Sequence, residues 1–580
     1  MMRQLARLCI TVALLSACQT APVTPTADLI IHNAKVYTVA EPEWAEAIAV
    51  KGDRIVYVGN SEGAKRLAGS SSRLVDLQGG LLMPGINDAH LHPVFGAMKV
   101  LFQCNFPFSA TLAEVQNTIA ECAQHTEREW ITGGQWDSDF FLNNEVPSPR
   151  AALDKVSRDK AVFLTADSGH DAWLNSKALE VSGITRDTKD PEGGTIVRDE
   201  NGEPNGLLLE KAKYLVEAKL PKHSDKEYVL GARELMKIAN GFGVTGMKDA
   251  SAEETDIRAL AALASDNSLS AHMAMAINVE KEDWTDDGFN LERIANLRDQ
   301  YASANLDSRF AKIFLDGVPT SSRTAAMLAD YLPANDGEAT HSGDLHFDLS
   351  QLTEMLIKLD NAGFTVKIHT AGDGSVRLAL DAIKQTRKAN GESGLQHELA
   401  HAGYIAPEDI PRFSALNAVA DFSPYLWHPS PIIDSIIGAV GPRALEYWPT
   451  QDLLNSGAAI LAGSDWPAAV ASMNPWYGIE ALVTRSDPAG QHQGQLWGKQ
   501  GVSLEQALRI YTLNGAKALR IDQQSGSIEV GKLADFIVLQ NNLFEQDPSA
   551  IGDTAVINTV FGGKVVFATD DAPLKPLNSD

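Results

Sequence analysis

The sequence predicts an α/β protein, a (β/α)8 TIM barrel with a small β-sandwich built from both ends of the chain and an inserted subdomain over the barrel mouth. Three observations lead to this prediction. Strand-like runs alternate with helical patterns through the middle of the chain, β-rich segments stand at both ends, and one long gap interrupts the alternation. At 580 residues, of which 44% are hydrophobic, the chain exceeds one typical domain and can bury a large core.

The first element along the chain, residues 1–17, is predicted to be a signal peptide. Arg3 and Arg7 precede an apolar stretch over residues 8–15, which is too short to span a bilayer as a permanent helix. The stretch ends in "LSAC", where small residues precede Cys18 as they do in a bacterial lipoprotein cleavage site. An ordinary signal peptide is the alternative.

Lipidation of Cys18 would make residues 18–27 a lipidated N-terminus and flexible tether, rich in Pro and Thr and without periodicity. Gln19 follows the cysteine, and by the sorting rule of Gram-negative lipoproteins a residue other than Asp favours the outer membrane. We therefore expect a periplasm-facing lipoprotein of the bacterial cell envelope. It should contact the membrane only through its lipid, because no other stretch approaches a transmembrane length.

Residues 28–80 and 520–580 share a β-rich texture. Runs such as "EAIAVKGDRIVYVG" near the start and "SGSIEVGKLADFIVLQ" near the end are short apolar strands. Gly-Asp and Gly-Gly turns punctuate the first of these segments. Two such ends flanking a central α/β region predict one small β-sandwich.

Residues 81–102 and 231–519 are predicted to form the barrel. Helical patterns such as "KEYVLGARELMKIANGFG" alternate here with eight strand-like runs, which is the number of strands in a TIM barrel. The runs lie near residues 82–89, 243–250, 269–276, 310–316, 364–369, 395–401, 417–423 and 458–464.

The gap between His92 and the second strand-like run, near Gly243, is too long for one barrel connection. We expect an inserted subdomain over residues 103–230 that covers the barrel mouth. It contains Cys104 and Cys122, which form either a disulfide, permitted in an oxidising envelope, or two buried free thiols.

The net charge of the chain argues against one class of partner. The formal charge is −26 at pH 7, whereas a nucleic-acid backbone requires a basic face. We therefore expect no nucleic-acid partner and a small molecule as the ligand.

The segment "LLMPGINDAHLH" over residues 81–92 is the most informative motif. It ends in His90 and His92, separated by one residue. On an extended backbone alternate side chains point the same way, so both imidazoles can leave one face and chelate one cation. Imidazole suits zinc and its neighbours. If the pair is considered alone, the alternative is that both histidines lie on the surface and bind no metal.

Four further candidate ligands each follow a β-like apolar run. They are Lys312 in "FAKIFLDG", His369 in "FTVKIHTAGD", His401 in "LQHELAHAG" and Asp465 in "AAILAGSDWP". A barrel of parallel strands gathers the residues at its strand ends into one mouth. Any one of these residues taken singly could be an N-cap or a core residue, but the repeated pattern predicts a metal site.

The order His-x-His, Lys, His, His, Asp resembles that of the metal-dependent amidohydrolase superfamily, and in particular its branch that includes N-substituted formamide deformylase, amidohydrolase family 3. The resemblance covers nearly the whole mature chain. "LMPGINDAHLH" is similar to the strand-1 motif, and "KIFLDGVPTSSRTA" to the lysine motif. "DSGHDAWLNSKAL" resembles the motif of that branch's insert, and "TLNGAKAL" with "GSIEVGKLADFIVL" the superfamily's C-terminal signature.

The resemblance implies one or two divalent metal ions, with zinc favoured. A bound divalent ion lowers the pKa of its water to about 7, which supplies a hydroxide nucleophile, and it polarises the substrate carbonyl. His90 and His92 would hold one metal, and His369 and His401 would hold a second or support the first. Lys312 would either form a carbamate that bridges two metals or act as a structural lysine with a salt bridge to Asp316.

Asp465 is the candidate catalytic residue. At the end of strand 8 its carboxylate could contact the metal, accept the proton of the attacking water and deliver it to the leaving nitrogen. The alternative is that "GSD" only caps the following helix. The predicted function is hydrolysis of a C–N bond in an N-substituted or linear amide. The alternatives are a cyclic amide, ester or carbamate substrate, or a non-catalytic envelope lipoprotein that uses the barrel as a binding scaffold.

Several residues beside the motifs are candidates for substrate binding, with structural roles as the alternative. They are His170, Trp136, Trp173, Arg323 and Trp427, whereas packing is favoured for Phe140 and Phe141. One departure from the family pattern concerns the strand-6 histidine, which Leu399 and Ala400 precede in place of an Ile-Glu pair. The missing glutamate removes a residue that could support the ligands of the metal site, which leaves His401 in place but argues against a second metal.

Overall fold

The computed structural model describes residues 26–107, 110–136, 140–144, 146–166, 171–333, 339–468 and 470–576. The predicted signal peptide, the predicted lipidation site Cys18 and the candidate substrate residue His170 lie outside these ranges. In the described part of the chain, no helix combines the length and the apolar character needed to cross a bilayer.

A sheet of eight parallel strands, hydrogen-bonded in chain order, forms the barrel. Each predicted strand-like run overlaps one of these strands, so the predicted fold class is confirmed. Numbered barrel strands 1 to 8, they are Ile86–Leu91, Val244–Ala252, His272–Asn278, Leu306–Phe314, Thr365–Thr370, Glu398–His401, Val419–Phe422 and Ala459–Ala462.

The barrel closes between strands 8 and 1. The backbone N–H of Asp465 donates to the carbonyl of His90 at 2.7 Å, and that of His92 donates to the carbonyl of Trp466 at the same distance. Gly463 allows this approach, because a Cβ at that position would lie 2.3 Å from the backbone nitrogen of His90. Closure therefore brings His90 and His92, the first predicted ligands along the chain, next to Asp465, the last.

Helices surround the barrel, and several of them begin with a side-chain cap that the sequence supplies. Asp348 accepts a hydrogen bond from the backbone of Gln351 at 2.9 Å, and Gln351 accepts one from the backbone of Asp348 at 3.0 Å, which is a capping box. The α-helices of this part are Pro93–Phe102, Asp225–Gly241, Glu254–Ser265, Glu292–Tyr301, Leu349–Asn361, Asp373–Asn390, Ile410–Ala415, Pro431–Val440, Thr450–Asn455, Pro475–Thr484, Leu504–Arg509 and Gly515–Ala518.

Both ends of the chain build a two-sheet sandwich. Its core joins Ile31 and Val50 of one sheet to Val36 and Phe536 of the other. The four-stranded sheet contains Arg54–Gly59, Ala47–Lys51, Ala27–His32 and Ala68–Asp76 in spatial order. The six-stranded sheet contains Lys564–Ala568, Val556–Phe561, Phe536–Leu539, Leu81–Pro84, Lys35–Tyr37 and Trp44–Ala45.

The strand Leu81–Pro84 belongs to the sandwich and not to the barrel, where the sequence interpretation placed it. It pairs with Lys35–Tyr37 on one side and Phe536–Leu539 on the other. All four of its residues are buried, so the run is apolar without alternation and merges in the sequence with the apolar barrel strand that follows. The barrel therefore begins at Ile86.

The insert is built on a six-stranded sheet of its own. Its strands in spatial order are Gly194–Arg198, Pro204–Glu210, Ala172–Leu174, Ala161–Ala166, Trp130–Trp136 and Cys104–Asn105. Its helices are Leu112–His125, Phe140–Asn143, Pro149–Asp154, Ser176–Ser182 and Tyr214–Glu217. Cys104 and Cys122 form a disulfide. The side chain of Gln135 donates to the carbonyl of Pro467 at 3.3 Å, so the insert contacts the loop that follows barrel strand 8.

Candidate metal centre

His90 lies near the C-terminal end of barrel strand 1 with no exposed surface. Its Nδ1 donates to Oδ2 of Asp421 at 2.7 Å. Its Nε2 is buried and has no hydrogen-bond partner among the residues that the structure describes. A buried nitrogen of this kind is costly unless something binds it. The hydrogen bond at Nδ1 is the arrangement that exposes the Nε2 lone pair of a metal-binding histidine.

Asp465 lies at the centre of a group of histidines. Its Oδ1 is 3.3 Å from Nε2 of His92 and 3.4 Å from Nε2 of His90, and its Oδ2 is 3.9 Å from Nδ1 of His401. Burial alone would raise the pKa of Asp465, but the close contacts of its carboxylate with the imidazoles of His90 and His92 hold that pKa well below its usual range. The carboxylate is therefore ionised at neutral pH.

The backbone turns sharply at two of these residues. His401 has a φ of 67° and Asp465 a φ of 59°, both in the left-handed region that side-chain-bearing residues rarely adopt. Strain of this kind clusters at functional sites, where it aims a side chain that a regular strand would turn away. At His401 and Asp465 the strained backbone accompanies side chains whose ligand atoms lie close to that of His90.

The donor set fits a divalent metal ion. The ligand atoms of His90, His401 and Asp465 all lie within 4.8 Å of one another. Burial lowers the pKa of both His92 and His401, so that their imidazoles are neutral, which is the form that binds metal. Two or three imidazole nitrogens and one carboxylate make a ligand set typical of catalytic zinc.

His369 lies beside this group without joining it. Its Nε2 donates to the carbonyl of Gly317 at 3.0 Å, and its ring centroid is 4.5 Å from that of His401. Burial and the nearby charge of Lys312 lower the pKa of His369 to about 3. His369 is not among the three residues whose ligand atoms lie within 4.8 Å of one another, and its pairing with His401 around a second ion stays a prediction.

Lys312 is buried on barrel strand 4, and burial lowers its pKa to about 8. Within the described ranges no carboxylate lies at ion-pair distance from its Nζ, which is 4.8 Å from the ring centroid of Phe314. The alternative of a salt bridge to Asp316 is wrong, because the Asp316 carboxylate accepts hydrogen bonds from Ala371 at 2.9 Å and Ser375 at 2.6 Å.

A cavity of about 510 Å³ opens beside His92, between the barrel and the insert. One part of its wall is apolar and another is acidic, and it is a candidate substrate pocket. Burial raises the pKa of Asp256, at this wall, to about 7. Its lining includes Phe95, Met98, Tyr228, Pro467, Asp249 and Asp256, none of which was a predicted substrate residue.

The predicted substrate residues Trp136 and Trp173 lie in the core of the insert. Trp173 is 0% exposed and its indole N–H donates to the carbonyl of Pro149 at 2.8 Å. Its ring centroid is 4.9 Å from that of Phe141, which in turn lies 5.1 Å from that of Trp136. The insert sheet must bury one face against its own helices, and these rings do so, which corrects their predicted role in substrate binding.

Trp427 and Arg323 also have structural partners. Trp427 is buried, with its ring stacked 5.3 Å from that of Trp448 and the Arg485 guanidinium 4.5 Å from its ring centroid. Arg323 donates to the carbonyls of Leu332 at 3.1 Å and Ser321 at 2.7 Å within its own loop. Neither side chain lines the cavity beside His92, and their roles in substrate binding stay predictions.

Sequence reasoning missed two residues that contact the predicted ligands. Trp448 donates from its indole N–H to the carbonyl of His401 at 3.0 Å and so supports the turn there. Asp421 accepts from His90. For Asp421 a signal existed, because a charged residue interrupts the apolar strand run "AVADF", where a parallel strand buried on both faces is usually apolar throughout.

Trp173→Ala should destabilise the insert by about 3–5 kcal/mol, because it removes a fully buried ring and leaves a cavity. Zinc content and the ranking of substrates should not change. Chemical denaturation followed by tryptophan fluorescence would measure the effect, with Tyr214→Ala as the control, since Tyr214 belongs to the insert but is 55% exposed. A changed substrate ranking at wild-type stability would instead restore the substrate-binding interpretation.

Comparisons with known proteins agree with this geometry. A family model described as "Amidohydrolase family" matches residues 73–567. The protein LONG AFTER FAR-RED 3 of Arabidopsis thaliana is 30% identical over 569 residues, covering 94% of this chain and 93% of that protein. N-substituted formamide deformylase of Arthrobacter pascens is 27% identical over 555 residues, covering 93% of this chain and 98% of that protein.

Among solved structures, an uncharacterized metal-dependent hydrolase from Pyrococcus horikoshii OT3 superposes with a TM-score of 0.71. The two sequences are 23% identical, and the match covers 90% of this chain and 99% of that one. At this level of identity the likeness shows a shared fold. The match includes the sandwich and the insert as well as the barrel, because it spans nearly the whole chain.

Proposed function

Because the chain belongs to the amidohydrolase family and is therefore a metal-dependent hydrolase acting on C–N bonds, we propose that its substrate is a linear or N-substituted amide. The observation that carries the proposal is the convergence of His90, His92 and His401 on the Asp465 carboxylate. The name of the formamide deformylase relative supports the choice of an N-substituted amide over a cyclic one.

We propose that one zinc ion binds to His90, His401 and Asp465, with His92 completing the set. When bound, the ion would polarise the substrate carbonyl and lower the pKa of a water molecule. The protein contributes a buried set of imidazoles and one ionised carboxylate, whose single negative charge offsets half of the charge of a divalent ion. Its pocket beside His92 leaves room for a substrate.

Asp465 is the proposed general base and acid. Its carboxylate is ionised, as its lowered pKa requires, and it is oriented by imidazoles on both of its oxygens. In this position it would accept the proton of the attacking water and return it to the leaving nitrogen. A backbone bond from Asp465 to His90 holds the two strand ends together, so the base keeps a fixed distance from the ligands.

A second ion would need a further anionic group next to His369. A carbamate on Lys312 would supply that group, since it is carboxylate-like and could bridge two ions about 3.5–4 Å apart. The burial of Lys312 without an anionic partner within the described ranges supports this role. We therefore propose carboxylation of Lys312 only for a form of the protein that holds two ions.

A panel of zinc-loaded assays tests the substrate class. N-alkyl and N-benzyl formamides and simple linear amides should be hydrolysed with higher kcat/KM than matched lactams, esters and carbamates. The Asp465→Asn variant serves as the blank for zinc-catalysed background hydrolysis. A preference for lactams or esters over every linear amide would contradict the proposed substrate class, while leaving the metal centre unaffected.

We also propose that the chain is a lipoprotein of the bacterial outer membrane, anchored at Cys18. The disulfide between Cys104 and Cys122 supports an oxidising compartment. Cys18→Ala should abolish incorporation of labelled palmitate and release the protein from the membrane fraction. Cys9→Ala is the matched control, because Cys9 lies in the predicted signal peptide and should be dispensable. Continued membrane retention of the Cys18→Ala variant would contradict the proposal.

A further inference from the structure

Barrel strands 2, 5, 6 and 7 place four charged side chains in the interior of the barrel: Lys248, Lys367, Glu398 and Asp421. None is more than 1% exposed. The interior of such a barrel is normally filled by branched apolar side chains. Apolar residues of similar volume often stabilise a fold as well as buried ion pairs do. Folding alone therefore does not account for four buried charges.

These side chains form a continuous series of ion pairs. Nζ of Lys248 pairs with Oε1 of Glu398, and Oε2 of Glu398 lies 2.9 Å from Nζ of Lys367. Nζ of Lys367 then donates to Oδ2 of Asp421. Two positive and two negative groups alternate along the series, so it carries no net charge. A neutral series of this kind can remain buried, whereas removal of one member leaves its neighbour unpaired.

The series ends at a metal-ligand candidate. The same Oδ2 of Asp421 that pairs with Lys367 accepts a hydrogen bond from Nδ1 of His90 at 2.7 Å. Lys367 also donates to the carbonyl of Ala89 at 3.2 Å, which is the residue before His90. Lys367 therefore contacts both the carboxylate that binds the imidazole and the backbone that carries it.

The consequence for His90 is a fixed ring with a defined proton position. An imidazole that donates from Nδ1 has its lone pair on Nε2. In this structure Nε2 of His90 is 3.4 Å from Oδ1 of Asp465 and has no hydrogen bond to another described residue. The Asp421 contact thus selects the tautomer that can bind a cation and turns it toward the Asp465 carboxylate.

We propose that Asp421 and Lys367 are positioning residues of the metal centre: Asp421 holds His90 in its metal-binding tautomer, and Lys367 holds Asp421. The proposal rests on the proposed function, since it assumes that His90 binds the metal. The proposal goes beyond that function because it assigns part of the zinc affinity to Lys367 on barrel strand 5 and Asp421 on barrel strand 7, which would not contact the metal.

Zinc affinity of the apo protein, measured by competition with a chromogenic chelator, tests the proposal without reference to activity. Asp421→Asn should weaken zinc binding about 10–100-fold, which is the usual effect of removing a carboxylate behind a histidine ligand. Asp535→Asn is the matched control. Asp535 is a buried carboxylate that accepts from Nε2 of His272 at 2.9 Å in a pair outside the metal centre, and its loss should leave zinc affinity unchanged.

A double-mutant cycle tests the second half of the proposal. Lys367→Met alone should weaken zinc binding, but less than Asp421→Asn does. If Lys367 acts through Asp421, then adding Lys367→Met to Asp421→Asn should have little further effect. The double variant removes one charge of each sign, so the series stays neutral. If Asp421→Asn alone does not fold, the zinc affinity of the double variant can therefore still be compared with that of the wild type.

The outcomes separate the two claims. Wild-type zinc affinity in Asp421→Asn, or in the double variant, would overturn the positioning role while leaving the proposed function standing. Fully additive effects of the two substitutions would overturn the action of Lys367 through Asp421. A wild-type protein that does not bind zinc would overturn the proposed function and the positioning role together.

Discussion

Asp465→Asn should lower turnover at least about a hundredfold, because general base catalysis typically contributes about 10²–10⁴ to the rate. Asparagine keeps the size of the side chain and a carbonyl oxygen that can still contact the metal ion, but it cannot take up the proton of the attacking water. The substitution should leave the fold intact, since the backbone bond from residue 465 to His90 does not involve the side chain. Steady-state kinetics at saturating zinc, with zinc content measured on the same sample, would quantify the loss.

The pH dependence of the same variant gives a second check. The pKa of Asp465 is held low, so wild-type activity should fall as the pH drops far enough to protonate the carboxylate. Asp465→Asn should lose this acidic limb of the pH–rate profile. Asp535→Asn, which removes a buried carboxylate outside the centre, should retain both the limb and the turnover. Near-normal turnover of Asp465→Asn would show that another group acts as the general base.

His90→Ala should empty the metal centre. It removes one of the three candidate ligands whose ligand atoms lie within 4.8 Å of one another, and catalytic zinc sites, which use few protein ligands, tolerate such a loss poorly. The zinc content measured by elemental analysis should fall from about one ion per chain to less than about a tenth of an ion per chain. Activity should fall in parallel and should not return on addition of zinc.

His272→Ala is the matched control for this loss. His272 is also a buried barrel histidine that bonds a carboxylate, but its partner Asp535 lies outside the centre. Circular dichroism should show that both variants fold, and only His90→Ala should lack zinc. A His90→Ala protein that retains stoichiometric zinc would show that the metal binds elsewhere and would contradict the assignment of the ligands.

The barrel and the convergence of three of its candidate ligands could be predicted because their signals are local. Each strand that carries a ligand reads as an apolar run followed by a polar residue, and parallel topology brings the ends of such strands together. His90, His401 and Asp465 lie far apart in sequence, yet the strand order alone places them at one mouth. The resemblance to a known family supplied the proposed carbamate on Lys312 and the proposed substrate class, which the pattern alone does not.

The errors have physical causes that a single sequence does not reveal. The sequence predicts that Leu81–Pro84 belongs to the barrel, because a strand buried on both faces shows no alternation that would separate it from its neighbour. Trp173 was assigned to substrate binding because an aromatic near a motif can serve a pocket or a core, and only its packing against Phe141 distinguishes them. Asp421 was missed because its partner, His90, lies on a strand distant in sequence.

The location of bound zinc tests the central claim most directly. Anomalous diffraction at the zinc edge from crystals of the zinc-loaded protein should show one peak bounded by His90, His401 and Asp465. The ligand distances should be about 2.0–2.2 Å, with Nε2 as the ligand atom of His90. A peak coordinated through other residues, or zinc-loaded crystals with no peak at these three side chains, would contradict the account.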